Sequence, residues 1–345
     1  MRVLVTGSDG YIGQVLVPML QSAGHDVTGL DSGLFQDCVF PGQPRPTAPV
    51  LWCDVRDVTP EMLAGFDAVL HLAGMSNDPY GDLNPAMTDE VNHLASVRLA
   101  RAAKAAGVRR FVYASSCSNY GSSDDGFIDE EAPFNPVTPY AVSKVMSEAN
   151  IGPLADADFS PVYLRAGTAY GISAKLRADL VVNNLTGYAF TTGHVMMKSD
   201  GMPWRPLVHI DDIAAAYLAV LEAPREQVHN EAFNVGATQE NYRVRDVATL
   251  VAKVVPGATV SFASGAGPDA RNYRVNCDKI RRLVPGYRPQ WTLRQGIEQL
   301  YEAYRDTKTT EAEFFGPRWM RVQHIKNLIA AGRLDGSLRY VREAA

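Results

Sequence analysis

The chain has 345 residues, 46% of them hydrophobic and 21% charged, a balance close to average globular usage that excludes disordered, collagen-like and coiled-coil proteins. Its formal charge of -5 gives no basic stripe for a nucleic-acid backbone, and no apolar run approaches the roughly 18 residues of a membrane span. The four cysteines, Cys38, Cys53, Cys117 and Cys277, form no CxxC pair and have no zinc-ligand spacing with histidine, so a core of ordinary size and a reducing cytosol are expected in place of disulfide or metal staples.

In chain order, MRVLVTGSDGYIG opens directly on a strand, Val3–Thr6, and a glycine turn without a small-residue cleavage site, so a mature, cytoplasmic chain is expected. A helix is predicted over Ile12–Ala23, followed by strands over Val27–Asp31, Val50–Asp54 and Ala68–Leu72. A helix over Asp89–Ala106, a strand over Phe111–Ser115, a helix over Tyr140–Ile151 and a strand over Val162–Arg165 come next. Short apolar runs alternating with longer helical patterns predict right-handed βαβ units, hence an α/β fold with a doubly wound parallel sheet covered by helices on both faces.

After about Gly171 the chain becomes richer in Pro, Gly, Trp and Arg, and a smaller mixed lobe is expected there. Val208-His-Ile-Asp-Asp-Ile, the Ala-rich stretch to Leu221 and Phe233-Asn-Val predict a return to the sheet. The expected division is a sheet domain over 1–172 with a return segment over about 207–235, and a second lobe over 173–206 and 236–345. From Gly316 onward Arg318, Arg321, Lys326, Arg333, Arg339 and Arg342 face only Asp335 and Glu343; such a run reads as a solvated helix face or tail in preference to an anion-binding arm.

Thr6-Gly7-Ser8-Asp9-Gly10-Tyr11-Ile12-Gly13 joins the first strand to the first helix, the context a dinucleotide turn requires. Gly7 permits the tight turn, Gly10 lets backbone N–H groups approach a pyrophosphate, and Gly13 allows close helix packing beside the positive helix end. Asp31 ends the second strand eighteen positions after Gly13, where a carboxylate can accept ribose hydroxyls and repel a 2′-phosphate, favouring NAD over NADP. The plainer alternative is a turn-forming Asp before Ser32-Gly33. Asp54-Val55 is open to either reading, as an acceptor for the adenine amine or as a strand-end turn.

Tyr140-Ala-Val-Ser-Lys144 begins a helix just after Pro139 and sets a phenol and an ammonium one turn apart on one face. An adjacent ammonium favours the phenolate, drawing tyrosine toward use as a base. Ser116, at the end of the fifth strand in Ser115-Ser116-Cys117-Ser118-Asn119-Tyr120-Gly121, can share a substrate hydroxyl with Tyr140. Taken alone YxxxK is a common solvated pair; its order after a glycine turn and a strand-end serine gives it meaning.

Through TGSDGYIG, Asp31, His71-Leu-Ala-Gly74, Asn92, SSCSNYG, YAVSK, Leu164-Arg-Ala-Gly-Thr-Ala-Tyr-Gly171 and Arg205 with Val208-His-Ile-Asp-Asp212, nearly the whole chain resembles the extended short-chain dehydrogenase/reductases. Among these it is similar to the NAD-dependent sugar-nucleotide epimerase/dehydratase family, with a Rossmann-type sheet. The resemblance implies NAD contacts from Gly7, Gly10, Tyr11, Ile12, Gly13, Asp31, Asp54, Val55, Leu72, Ala73, Gly74, Asn92, Tyr140 and Lys144. It implies catalytic roles for Ser116, Tyr140 and Lys144. For a nucleotide-diphosphate sugar it implies contacts from Ser116, Cys117, Ser118, Lys175, Leu176, Arg205 and Arg271, arginine suiting phosphate through its planar fork. It also implies a homodimer through the Asp89–Ala106 and Tyr140–Ile151 helices, although Val91, Leu94, Val97 and Leu99 could equally be buried on the chain's own sheet.

There are departures from the family pattern. Family dehydratases carry an Asp-Glu pair directly after the catalytic Ser/Thr, and here those positions hold Cys117 and Ser118. Some epimerases place a reactive cysteine two residues before the motif's tyrosine; that slot is Ser118, so Cys117 reads as a small packed residue. Thr168 stands where the family commonly has Asn. The resulting expectation is redox-neutral epimerisation at C4 through a transient keto-sugar. The alternatives are an NAD(P)-dependent ketoreductase or dehydrogenase of a nucleotide-linked sugar, and a non-catalytic NAD(H) sensor, for which an intact Ser116, Tyr140 and Lys144 would be superfluous.

Overall fold

Strands with apolar side chains at successive positions must be covered on both faces, and the first half of the chain meets this with one parallel sheet between two helical layers. The structure, a computed structural model, describes residues 1–76, 84–197, 199–262 and 271–341; Arg342 and Glu343 of the basic tail lie outside the described residues. The strands are β1 (Arg2–Thr6), β2 (Asp26–Asp31), β3 (Val50–Trp52), β4 (Ala68–His71), β5 (Arg110–Ser116), β6 (Ser122–Ile128) and β7 (Ser160–Ala166). There follow β8 (Thr168–Tyr170), β9 (His194–Met197), β10 (Trp204–His209), β11 (Ala232–Val235), β12 (Asn241–Arg243), β13 (Thr259–Phe262) and β14 (Asn272–Val275).

Seven of these strands form a parallel sheet in the order β11-β7-β5-β4-β1-β2-β3, with Val5 of β1 in register with Gly29 on one side and Leu70 on the other. The Gly13–Ser22 and Ile210–Glu222 helices cover one face, packing Leu16, Val17, Tyr217 and Val220 against Val3, Val5 and Leu70. The Ala95–Ala105 helix covers the other face against Leu4, Val69 and Phe111. Alternate residues of β1 and β4 thus feed opposite cores, the doubly wound α/β arrangement expected from their unbroken apolar runs.

Three differences from the sequence-based expectation have local causes. The third strand stops at Trp52 because Asp54 turns out to cap the short Val55–Asp57 helix, accepting from Arg56 N, and this edge strand leaves Leu51 and Trp52 exposed instead of covered. The helix expected from Asp89 begins at Pro85, where Asn84 accepts from Met87 N, and passes through a π turn over Glu90–Leu94. Val208 and His209 do not rejoin the main sheet: β10 pairs with β8 and β12 in a separate three-stranded sheet, and only the Ile210–Glu222 helix and β11 return.

The later elements gather around a second core containing Tyr170, Leu185, Leu207, Val251, Leu300 and Tyr304. The basic tail keeps a solvated face, with Arg318, Lys326 and Arg333 exposed, but it also has a buried one. Ile325, Leu328, Leu334 and Leu338 bury themselves against Leu34 and Met75 in the loops after β2 and β4, each buried side chain contributing about 1.5–3 kcal/mol. No described helix is long and apolar enough to cross a membrane, and among the described residues no cluster of His, Cys, Asp or Glu could hold a metal ion.

Candidate functional site

Sheet order reverses beside β1, so the carboxyl ends of β1 and β4 open a crevice of the kind in which α/β sheets bind ligands. Thr6 Oγ1 ties the two strand ends together, bonding His71 Nδ1 at 2.7 Å and accepting from Ala73 N at 3.2 Å. Burial, with the Lys144 charge adding to it, pushes the His71 imidazole down to about 3, so it is a neutral strut. Gly7 sits at φ +72°, and a Cβ there would lie 2.8 Å from Ala73 N; a Cβ on Gly13 would lie 2.4 Å from the Gly7 carbonyl. Only glycine allows this backbone to be both tight and bare.

Asp31, at the end of β2, accepts from Asp9 N and Gly33 N, both at 2.9 Å, so it fixes the glycine turn as well as facing the crevice. Burial raises its carboxyl above the usual range, with the two N–H groups opposing. Asp54 is engaged differently from a free acceptor: Arg56 donates to it through N and Nε at 2.9 Å and through Nη2 at 2.6 Å. Burial raises the Asp54 carboxyl, but these bonds and the guanidinium charge outweigh that and hold it low.

At the other end, β5 finishes at Ser116, whose Oγ accepts from Ser118 N at 3.1 Å and caps the Cys117–Tyr120 turn. Thr138 caps the Pro139–Ile151 helix by accepting from Ala141 N, with Pro139 in the first turn where its missing N–H costs nothing. This sets Tyr140 and Lys144 on the helix face turned to the sheet. Lys144 Nζ donates to the Ala114 carbonyl at 2.7 Å and lies 4.7 and 5.5 Å from the Tyr113 and Tyr140 ring centres. Burial pushes its ammonium down to about 7, with Glu148 opposing. Beneath, Ser115, Glu148 and Arg165 interlock: Ser115 Oγ donates to Glu148 at 2.5 Å and Arg165 Nη2 to the same carboxylate at 2.6 Å.

One cavity of about 890 Å³ joins the two ends, within the range of ligand sites that hold a molecule of cofactor size. Gly7, Gly10, Tyr11, Ile12, Gly13, Asp31, Asp54, Val55, Leu72, Ala73 and Gly74 line it, as do Ser116, Ser118, Tyr140 and Lys144. Arg205 and Arg271 line it from the second half of the chain, where Arg205 Nη1 also donates to the Arg271 and Trp204 carbonyls.

Four expected contacts are not brought to its surface. Asn92 spends its side chain on the Met75 backbone, at 2.7 and 3.0 Å. The Cys117 thiol is buried against the Arg165 carbonyl at 3.0 Å and burial raises it far above its ordinary value, so it is a packed group. Lys175 is wholly buried, paired with Asp9 at 2.9 Å and donating to the Phe35 and Gln36 carbonyls, which puts it behind the glycine turn. Leu176 belongs to the second apolar core. Conversely, Arg177, bonded to Ser76 and bidentate to Asp179, and Arg321, Val322, Ile325 and Leu338 of the last segment line the cavity without having been singled out. The apolar spacing Val322, Ile325, Leu328 was the available signal that this tail has a buried face.

A family model described as "NAD dependent epimerase/dehydratase family" matches residues 3–236. A UDP-glucose 4-epimerase of Mycolicibacterium smegmatis is 30% identical over 318 residues, covering 89% of this chain and 99% of the relative. Among solved structures, MoeE5 in complex with UDP-glucose and NAD superposes with a TM-score of 0.76 at 27% identity, covering 90% of this chain and 100% of the other. DesIV, a dTDP-glucose 4,6-dehydratase from Streptomyces venezuelae with NAD and TYD bound, gives 0.78 at 25%, covering 94% and 100%. The cavity fits NAD on its own terms: bare glycine backbone faces it where a side chain would collide, and Asp31 lines it with no Lys or Arg paired to its carboxylate among the described residues, as suits a ribose.

Proposed function

The chain belongs to the NAD dependent epimerase/dehydratase family, with NAD as its cofactor, and from that premise we propose that it interconverts C4 epimers of a nucleotide-diphosphate sugar through a transient keto-sugar. The observation that carries the choice of epimerisation over dehydration is the pair of residues beside Ser116. Expelling water from C5 and C6 needs an acid and a base there, whereas Cys117 is a buried thiol bonded to a carbonyl and Ser118 offers a hydroxyl alone. The name of the mycobacterial relative supports C4.

In this reading Tyr140 holds the proton exchanged with the sugar hydroxyl and Ser116 shares that hydroxyl's hydrogen bond. Lys144 supplies the charge that favours the phenolate. Bound NAD supplies the acceptor and donor of hydride. Ser118 Oγ, buried and without a hydrogen-bond partner among the described residues, is available to the substrate. Arg205 and Arg271 meet the substrate's diphosphate, with guanidinium forks matched to phosphate oxygens. The division into a cofactor domain over 1–172 with its return segment and a substrate lobe belongs to the same proposal. So does a cytoplasmic homodimer, supported by exposed Leu94, Val142 and Met146 on the two helices concerned and by four free cysteines.

The test is incubation with a panel of nucleotide sugars without added reductant. One epimeric pair should interconvert with no net change at the NADH absorbance band. Stoichiometric NADH or NADPH consumption with a keto-sugar, and no epimer from any saturated sugar, would move the assignment to a reductase; release of water would move it to a dehydratase.

A further inference from the structure

One wall of the cavity that the glycine turn also lines is completed by the last segment of the described chain. Arg321, first residue of the Arg321–Ala330 helix, is 4% exposed and lines the cavity beside Val322, Ile325 and Leu338. Its guanidinium lies 4.1 Å over the Phe35 ring and donates through Nη2 to the Lys175 carbonyl at 2.9 Å. Nη1 is buried without a hydrogen-bond partner among the described residues. The acids around it are already engaged: Asp179 accepts Arg177 through both oxygens, and Asp9 is paired with Lys175 at 2.9 Å and Arg45 at 3.2 Å. The Cys38 thiol, its other polar neighbour, is uncharged, since burial raises it further above neutrality. Among the described residues the wall therefore keeps one buried cation whose neighbouring acids are each already paired with another cation, an arrangement that costs stability until an anion arrives.

The diphosphate is the anionic group of NAD, and the glycine turn expected to cradle it opens on this same cavity. We infer that Arg321 is the counter-charge of the NAD diphosphate, so that the C-terminal segment forms the outer half of the cofactor site. The segment is fastened to the loops that carry Asp31 and Asp54. Arg56 Nη1 donates to the Ser337 carbonyl at 2.8 Å, Tyr340 Oη to the Gly33 carbonyl at 3.0 Å, and His324 Nε2 bonds the Leu34 carbonyl at 3.0 Å. Departure of the dinucleotide on this side requires breaking these bonds, which suits a cofactor kept through many turnovers. The inference rests on NAD as the cofactor and is independent of which sugar carbon reacts.

Calorimetric titration of the full-length, NAD-free chain with NAD, ADP-ribose and adenosine tests it. Arg321→Met should weaken NAD and ADP-ribose by about tenfold to a hundredfold, as expected for one charge-assisted hydrogen bond, and leave adenosine, which has no diphosphate, unchanged. Equal NAD affinity in variant and wild type overturns the inference. Equal losses for adenosine and ADP-ribose also overturn it, because they report a collapsed wall and not a missing charge. If the methionine variant does not fold, Arg321→Gln, which can still donate to the Lys175 carbonyl, is read by the same contrast. A wild-type chain that binds none of the three removes the cofactor assignment and this inference together.

Discussion

The two ends of the cavity are built by different means. At the end proposed to be catalytic Ser116 stands on a central strand and Tyr140 and Lys144 on a helix packed against it, with the buried Ser115, Glu148 and Arg165 network directly underneath. At the end proposed for adenosine Asp31 closes β2 and Asp54 follows the edge strand, and the loops after them are backed by residues 281 to 307 positions away along the chain. The proposed chemistry thereby stands on a central strand and the helix packed against it. Binding is shared with a peripheral segment held by the buried Ile325, Leu328, Leu334 and Leu338 and by a few hydrogen bonds to the loops. Damage at one end should thus change turnover without affinity, and damage at the other affinity without fold.

The sharpest separation is expected from Tyr140→Phe. Removing the phenolic hydroxyl should lower kcat by about 10² to 10⁴, the usual contribution of a general acid-base group, with NAD affinity by calorimetry unchanged. A variant with near-wild-type turnover would break the contrast. Next comes the network below the site. Arg165→Met leaves Glu148 buried without its partner and should cost about 3–5 kcal/mol in urea unfolding.

The pH dependence of the NAD-free chain is a smaller effect with a definite sign. Because burial holds Lys144 down to about 7, the unfolded chain binds one more proton than the folded one between about pH 7 and about pH 10. This group's contribution to stability therefore rises with pH through that window. Urea unfolding at about pH 7 and about pH 9 should show that rise in wild type and a reduced one in Lys144→Met. Equal slopes would mean that Lys144 is ordinary. Smallest of all should be Arg339→Ala at the rim of the adenosine end. Its pair with Asp57, at 2.5 Å but well exposed to water, should contribute under about 1 kcal/mol in the same assay, in contrast to the buried Arg321 nearby.

The same division governs how much could be read in the sequence. The seven-stranded sheet was legible strand by strand except for β11's exact place, because each strand is a short apolar run bounded by turns and each motif lies within one strand-turn-helix step. Gly7, Gly10, Gly13, Asp31, Ser116, Tyr140 and Lys144 all reach the cavity for that reason. Long-range electrostatics was not legible. Lys175 looks like any phosphate-facing lysine until Asp9, 166 positions earlier and inside the glycine turn, is seen to claim it. Asp54 was open to either an adenine contact or a strand-end turn, and nothing in the sequence showed that Arg56 two residues on would occupy both its oxygens. Arg321 is one of six basic residues in its segment, and only tertiary packing separates it from the solvated Arg318 and Lys326.

Epimerisation with hydride held on the enzyme makes one demand that dehydration does not share: the hydrogen taken from C4 must come back to C4. A nucleotide sugar deuterated at C4 and converted in ordinary water should give an epimer that keeps its deuterium at C4, with none passed to solvent, as read by NMR and mass spectrometry of the product. Deuterium found at C6, or lost to water, would contradict the proposed reaction.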